Sequence, residues 1–248
     1  MLMNLSNDDN VVDKDHISAL LSKSISIINQ NIRYVFILAF IHIYIIGHSG
    51  FISTISFINS IGSIILVPAI YGRLLWIVKD NEIKSFNSIL KSHWCNYFSV
   101  TIILSIPIGI YAFALKGFLP SLSGELLLIS ITSIIAMLSI FVIPSVFLLH
   151  ENIAALIFGI KYIFYKLTYH ISLMLLAIVP IIISHIMKFF LPILLIPFGN
   201  KYSIIGIVAI GFAKNFISSY LNMLVFLTAS MILISRNILI EAKVNGSD

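Results

Sequence analysis

The sequence predicts an all-α fold: a polytopic membrane helix bundle of six transmembrane helices with interfacial amphipathic helices. Of its 248 residues, 59% are hydrophobic and only 10% are charged, whereas about a quarter of the residues in soluble domains are charged. The mean hydropathy of +1.07 agrees with this. A soluble fold of this length needs more polar surface than the chain offers. Soluble enzymes, secreted disulfide scaffolds and disordered regulators are therefore excluded.

Apolar segments long enough to cross a bilayer recur six times along the chain. A transmembrane helix needs about 20 apolar residues, each adding roughly 1.5 Å. The predicted spans are residues 34–49, 51–78, 98–115, 126–149, 171–190 and 216–235. The first span is short, so we expect it to continue from a preceding cytoplasmic helix.

These spans place residues 16–248 in a single integral membrane domain. Residues 1–15 are polar and acidic. A secretory signal starts with positive charge and continues into an apolar stretch, and this segment has neither. It is predicted to be a disordered cytoplasmic tail.

Amphipathic stretches separate several of the spans, at residues 16–32, 84–97 and 152–166. Apolar residues recur on one face of each stretch at helical spacing. Helices of this kind lie in the membrane interface with the apolar side toward the lipid. The third stretch is predicted to break from the fourth span near Glu151 and Asn152. We expect it to lie nearly parallel to the membrane on the cytoplasmic side.

Lysine and arginine are divided unequally between the two sides of the predicted bundle. Six spans place both termini on one side, and cytoplasmic connections carry an excess of these residues. The side with the termini holds Lys14, Lys23, Arg33, Arg73, Lys79, Lys84, Lys91, Lys161, Lys166, Arg236 and Lys243. The other side holds Lys116, Lys188, Lys201 and Lys214. Both termini are therefore predicted to be cytoplasmic, with residues 203–213 forming an interfacial piece that leads into the sixth span.

The net charge of +5 does not indicate a nucleic-acid partner. Nucleic-acid binders cluster their basic residues on one polar face, and here these residues are scattered. The predicted partners are membrane lipids, with no nucleic acid, and no protein partner is indicated. Cys95 is the single cysteine, so an internal disulfide is excluded.

The sequence contains no constellation typical of catalysis or metal binding. Its ten acidic residues fall in tails, turns or helix ends, so a carboxylate proton relay within the membrane is not expected. Patterns such as HExxH, CxxC, GxSxG and the P-loop are absent. We therefore predict no catalytic, cofactor-binding or metal-ligating residue, no cofactor and no enzyme activity.

Two histidines fall within predicted spans. His42 lies near the middle of the first span, and His185 lies toward the outer end of the fifth. The favoured interpretation is a neutral imidazole hydrogen-bonded within the bundle, and a proton site or ligand is the alternative.

Basic residues cluster where the second span ends, at Arg73, Lys79 and Lys84. The favoured interpretation is an anchor on the cytoplasmic side. An ion pair of Arg73 with Glu82 or Glu151, or contact of the three cations with a lipid phosphate, is the alternative.

Small and polar residues line three of the spans at helical spacing. They are Ser53, Ser56, Asn59, Ser60, Gly62 and Ser63 in the second span, Thr132, Ser133, Ala136 and Ser139 in the fourth, and Ser218, Ser219 and Asn222 in the sixth. Such faces let helices approach closely and form hydrogen bonds across the contact. A packing seam is favoured, with Ser56, Ser60 and Ser63 facing other helices. The alternative is a polar cavity that binds a lipid or a small solute.

One stretch carries a resemblance to a known family. Residues 141–155, which read FVIPSVFLLHENIAA, join a proline-bearing apolar span to a short charged turn and an amphipathic helix with small residues. The stretch resembles the YciC-like family of enterobacterial inner-membrane proteins, with Ser145 where that family usually has glycine. The chain length, six spans and a basic C-terminal end are also similar. The resemblance implies an inner-membrane location and this architecture. It says nothing about a biochemical activity.

The expected function is that of a multi-pass inner-membrane protein of unknown biochemical activity, a non-enzymatic envelope or accessory component. The absence of charges from the middle of the spans, and of catalytic motifs, favours this class. The alternative is a small transporter or lipid-handling protein that uses the serine-lined helix seam.

Overall fold

The computed structural model describes residues 14–41, 50–115, 117–118, 121–165, 167–195 and 199–235. The helices are α1 (Lys14–Gln30), α2 (Ile32–Ile41), α3 (Gly50–Asp80), α4 (Phe86–Ile110, followed by a π-helical turn at Tyr111–Leu115), α5 (Ser121–Leu149), α6 (Ile153–Tyr165), α7 (Leu167–Leu195) and α8 (Gly199–Ser235). Every regular element in these ranges is helical, which confirms the all-α prediction.

Four helical segments are long and apolar enough to cross a membrane. They are Phe86–Leu115, Ser123–Leu149, His170–Met187 and Ala209–Ser235. A fifth arises if the pair Ile17–Gln30 and Ile32–Ile41, bent by 75°, is one broken span. These counts refer to the described residues. Helix α3, at 31 residues, covers the predicted second span.

The first predicted span is not a straight continuation of the helix before it. Helix α1 ends at Gln30, and α2 begins at Ile32 after a sharp bend. The Asn31 side chain donates a hydrogen bond of 2.9 Å to the Ile27 carbonyl, which satisfies a carbonyl at the end of α1. Residues 42–49 of this span and residues 1–13 of the predicted tail lie outside the described residues. Residues 14 and 15, also assigned to the tail, are helical.

The amphipathic segment 84–97 is not a separate interfacial helix, so that prediction is wrong. Helix α4 runs without a break from Phe86 through the third predicted span. Its N-cap is Ser85, whose side chain accepts a hydrogen bond from the Ser88 amide. No glycine or proline occurs between this cap and Pro107, so nothing in the local sequence ends the helix.

The predicted interfacial piece at 203–213 is likewise part of a longer helix. Helix α8 is continuous from Gly199 to Ser235. The segment able to cross a membrane begins at Ala209, earlier than the predicted start at residue 216. Glycines within this stretch lower helix propensity by only about 1 kcal/mol each, and they do not end the helix. Lys214, predicted to lie outside the spans, therefore lies within a segment that is long and apolar enough to cross a membrane.

Helix α6 folds back along the end of α5. The predicted break is confirmed, because α5 ends at Leu149 and His150 adopts a positive φ of 60°. Gly159 then lies against the backbone of Val142, and the Tyr162 ring lies 4.8 Å from that of Phe141. The described part of the segment 152–166 thus runs beside the last turns of α5, and its orientation nearly parallel to the membrane stays a prediction.

The most deeply buried segment of the described residues is the C-terminal part of α8. Every residue from 223 to 233 is buried, in contact with apolar side chains of α1, α3 and α5. Large apolar side chains at the opposite end of the bundle are exposed, including Ile106, Ile110 and Ile134. Packing is therefore tight where α8 ends and looser toward the start of the span at Ala209. An exposed apolar surface of this extent is typical of contact with lipid.

Candidate functional site

A cavity of about 1080 Å³ lies among helices α3, α4, α5, α7 and α8. Most of its lining residues are apolar. The polar minority lies on α4, α5, α7 and α8, with one tyrosine on α3. The polar lining residues are Tyr71, Tyr97, Thr101, Ser105, Thr132, Ser139, Ser184, His185, Lys214, Asn215, Ser218, Ser219 and Asn222. An apolar pocket with a few polar groups is the usual form of a small-molecule site.

Two of the three polar stripes predicted from the sequence meet at this cavity. Helix α5 contributes Thr132, Ala136 and Ser139, and α8 contributes Ser218, Ser219 and Asn222. These stripes line a cavity, where the sequence favoured a packing seam. Ser133 is not among the lining residues. The stripe in the second span cannot be placed in the same way, because the side chains of Ser53, Ser56, Asn59, Ser60 and Ser63 lie outside the described residues, as does His42.

Several hydroxyl groups of the cavity wall are bonded within their own helices. Thr101 donates to the Tyr97 carbonyl at 2.8 Å, and Ser105 donates to the Thr101 carbonyl at 2.7 Å. On α5, Ser139 donates to the Ala136 carbonyl at 2.7 Å. Each hydroxyl hydrogen is used, while the oxygen can still accept. These three hydroxyls therefore leave no donor unsatisfied when they face an apolar ligand.

Lys214 is a cavity-lining residue that the sequence did not single out as a candidate. It is the sixth residue of the segment Ala209–Ser235, roughly 8 Å along the helix from the start. Its Nζ donates to the Ser184 hydroxyl of α7 at 3.3 Å. The available signal was the unbroken apolar pattern from residue 203 to residue 213, which places Lys214 inside a helix.

His185 of α7 follows Ser184 in the chain and also lines the cavity. Its Nδ1 is 2.9 Å from the Ile181 carbonyl, which can only accept, so Nδ1 carries the proton. Its Nε2 lies 3.9 Å from Glu125 Oε2. The predicted position toward the end of the span is confirmed, and the structure supplies a partner that the sequence did not reveal.

The basic residues at the end of α3 lie over aromatic rings. The Arg73 guanidinium is 4.8 Å from the ring centroid of Phe86, and the Lys84 ammonium is 3.1 Å from that of Trp76. Lys79 also lies over Trp76, at 4.8 Å. Such cation–π contacts contribute about 0.5–1 kcal/mol each when exposed. They join the end of α3 to the start of α4.

No group of three or more His, Cys, Asp or Glu side chains comes together as a metal site among the described residues. Comparisons with protein-family models, with curated proteins and with solved structures find no match to this chain. The site is therefore interpreted from its own geometry.

Proposed function

We propose that this protein is a non-enzymatic, multi-pass inner-membrane protein that binds a lipid or a small amphiphilic solute in the cavity among α3, α4, α5, α7 and α8. The observation that carries the proposal is the cavity itself, about 1080 Å³ in volume. The cavity is partly open to the outside at α4, where the lining residues Ile102 and Ile106 are half exposed. Cavities of roughly 300–1000 Å³ are the usual size of ligand sites.

The polar stripes support ligand binding over a purely structural role. An envelope or accessory component that is held together by helix packing would bring Ser139 and Ser218 into close contact. Both residues instead line the cavity, and Ser139 donates its hydrogen to its own helix. This arrangement favours the lipid-handling alternative that the sequence analysis left open.

The proposal includes six spans with both termini in the cytoplasm. Helix α3 and the bent α1–α2 pair would add two spans to the four long apolar segments. The basic residues at the end of α3 lie next to those at the start of α2, since Arg33 and Arg73 both lie over the Tyr34 ring. Grouping of cations at this end supports a cytoplasmic position. Relationship to the YciC-like family and location in the inner membrane are parts of the same proposal.

Native mass spectrometry of the purified protein, combined with lipid extraction, tests the proposal. The Ser139→Trp variant fills the cavity from α5, while Ser130→Trp places the same bulk on the exposed side of that helix. We expect a bound amphiphile to co-purify with the wild type and with Ser130→Trp, and to be lost from Ser139→Trp. Equal ligand content in all three proteins, or none in the wild type, would overturn the proposal.

A further inference from the structure

Lys214 is the only Lys, Arg, Asp or Glu side chain among the described residues that line the cavity. It lies in a segment able to cross a membrane, about one and a half turns from the segment's start. A charged side chain inside an apolar span is costly to place there. Such residues face bundle interiors or cavities and mark ligand or ion pathways.

The ammonium group of Lys214 has a neutral partner. Its hydrogen bond goes to the Ser184 hydroxyl at 3.3 Å. Within the part of the chain that the structure describes, no carboxylate forms an ion pair with it. The Glu125 carboxylate lies 3.9 Å from His185 Nε2. Among the described residues, Lys214 is thus paired with a hydroxyl and not with a carboxylate.

The remainder of the cavity suits an acyl chain. Isoleucines of four helices contribute to its apolar wall, including Ile102, Ile106, Ile135 and Ile181. Ile102 and Ile106 are also 50% and 52% exposed on the surface of α4. The α4 wall therefore reaches the outer surface of the bundle, so a lipid chain can enter sideways from the bilayer.

We infer that the cavity takes an amphiphile with one acyl chain and an anionic head, with a carboxylate or phosphate on Lys214 and the chain along the isoleucines of α4 and α5. An anion pairs with the ammonium group and offsets its desolvation. The inference rests on the proposed function, because it names the ligand class of the same cavity.

The test measures binding of three probes to the protein in phosphatidylcholine nanodiscs. Oleate carries a carboxylate, oleoyl lysophosphatidate carries a phosphate, and oleyl alcohol has the same chain without a charge. Lys214→Met removes the charge and keeps a long unbranched side chain, whereas Lys214→Arg keeps the charge. Lys161→Met is the control, because it replaces a lysine with methionine at an exposed position of α6.

We expect Lys214→Met to weaken binding of the anionic probes about tenfold or more, because hydrogen bonds to charged groups contribute about 1.5–3 kcal/mol. Lys214→Arg retains binding, Lys161→Met leaves it unchanged, and oleyl alcohol binds weakly to every variant. Whichever anionic probe binds more tightly shows whether the site prefers a carboxylate or a phosphate head group.

Two other outcomes separate the inference from the proposed function. Equal binding of oleate and oleyl alcohol to wild type and to Lys214→Met, abolished by Ser139→Trp, would overturn the anionic head while the cavity remained a ligand site. Failure of all three probes to bind, with no amphiphile co-purifying, would overturn both.

Discussion

Gly159 of α6 lies directly against the backbone of Val142 of α5. A Cβ atom added at Gly159 would come within 2.5 Å of Val142 Cα and 2.6 Å of its backbone nitrogen. Backbone atoms cannot move aside as a flexible side chain can. The absence of a side chain at this one position is therefore what lets the two helices pack this closely.

Replacing Gly159 with alanine should destabilise the protein by about 1–3 kcal/mol, the usual cost of overpacking. Gly109→Ala is the matched control, since no atom lies within 4 Å of a Cβ built there. We expect it to be neutral or slightly stabilising. The free energy of unfolding in mixed micelles, measured by SDS titration, compares the two. A neutral Gly159→Ala would contradict the hairpin packing of α5 and α6.

The two buried hydroxyls that join α1 and α8 should contribute unequally to the free energy of unfolding. Thr228 Oγ1 donates to Ser24 Oγ at 3.0 Å, and Ser24 donates in turn to the Leu20 carbonyl at 2.9 Å. Both side chains are fully buried. Thr228→Val leaves the Ser24 hydrogen satisfied and should cost about 0.6 kcal/mol. Ser24→Ala leaves the Thr228 donor without this acceptor and should cost about 1–3 kcal/mol.

The same unfolding measurement tests this ranking. Ser22→Ala serves as the control, because Ser22 is exposed on the same helix and its loss should change the free energy of unfolding very little. A larger cost for Thr228→Val than for Ser24→Ala would show that the direction of the hydrogen bonds is wrong.

Reporter fusions at the C-terminus test the proposed topology. With six spans and a cytoplasmic N-terminus, a green fluorescent protein fused after residue 248 should fluoresce, because that reporter folds in the cytoplasm. Alkaline phosphatase fused at the same point should be inactive. The opposite pair of results would mean an odd number of spans, or termini on the outer side.

Helix type and approximate position could be predicted from the sequence, because long apolar segments leave few alternatives. The break before α6 could also be predicted, from the charged turn at Glu151 and Asn152. Helix ends were harder to predict. An amphipathic stretch such as 84–97 has the same periodicity whether it forms its own helix or the first turns of α4, and only tertiary structure distinguishes the two.

The stripes on α5 and α8 could be predicted, but what they face could not. Helical spacing places Thr132 and Ser139 on one face, and the same pattern fits either a dry seam or a cavity wall. Lys214 was assigned to a connection because the positive-inside rule counts lysines outside the apolar cores. Its role depends on Ser184, thirty positions away along the chain, a relationship that periodicity alone does not contain.

Photocrosslinking in membranes with a diazirine-bearing fatty acid tests most directly whether an amphiphile occupies the cavity. Ile134 and Ile135 are adjacent on α5, but Ile135 lines the cavity, while Ile134 is 55% exposed and is not among the lining residues. We predict adducts at Ile135 that excess oleate suppresses, while any adducts at Ile134 are insensitive to it. Adducts confined to Ile134 and other exposed positions such as Ile171, unaffected by oleate, would contradict the account.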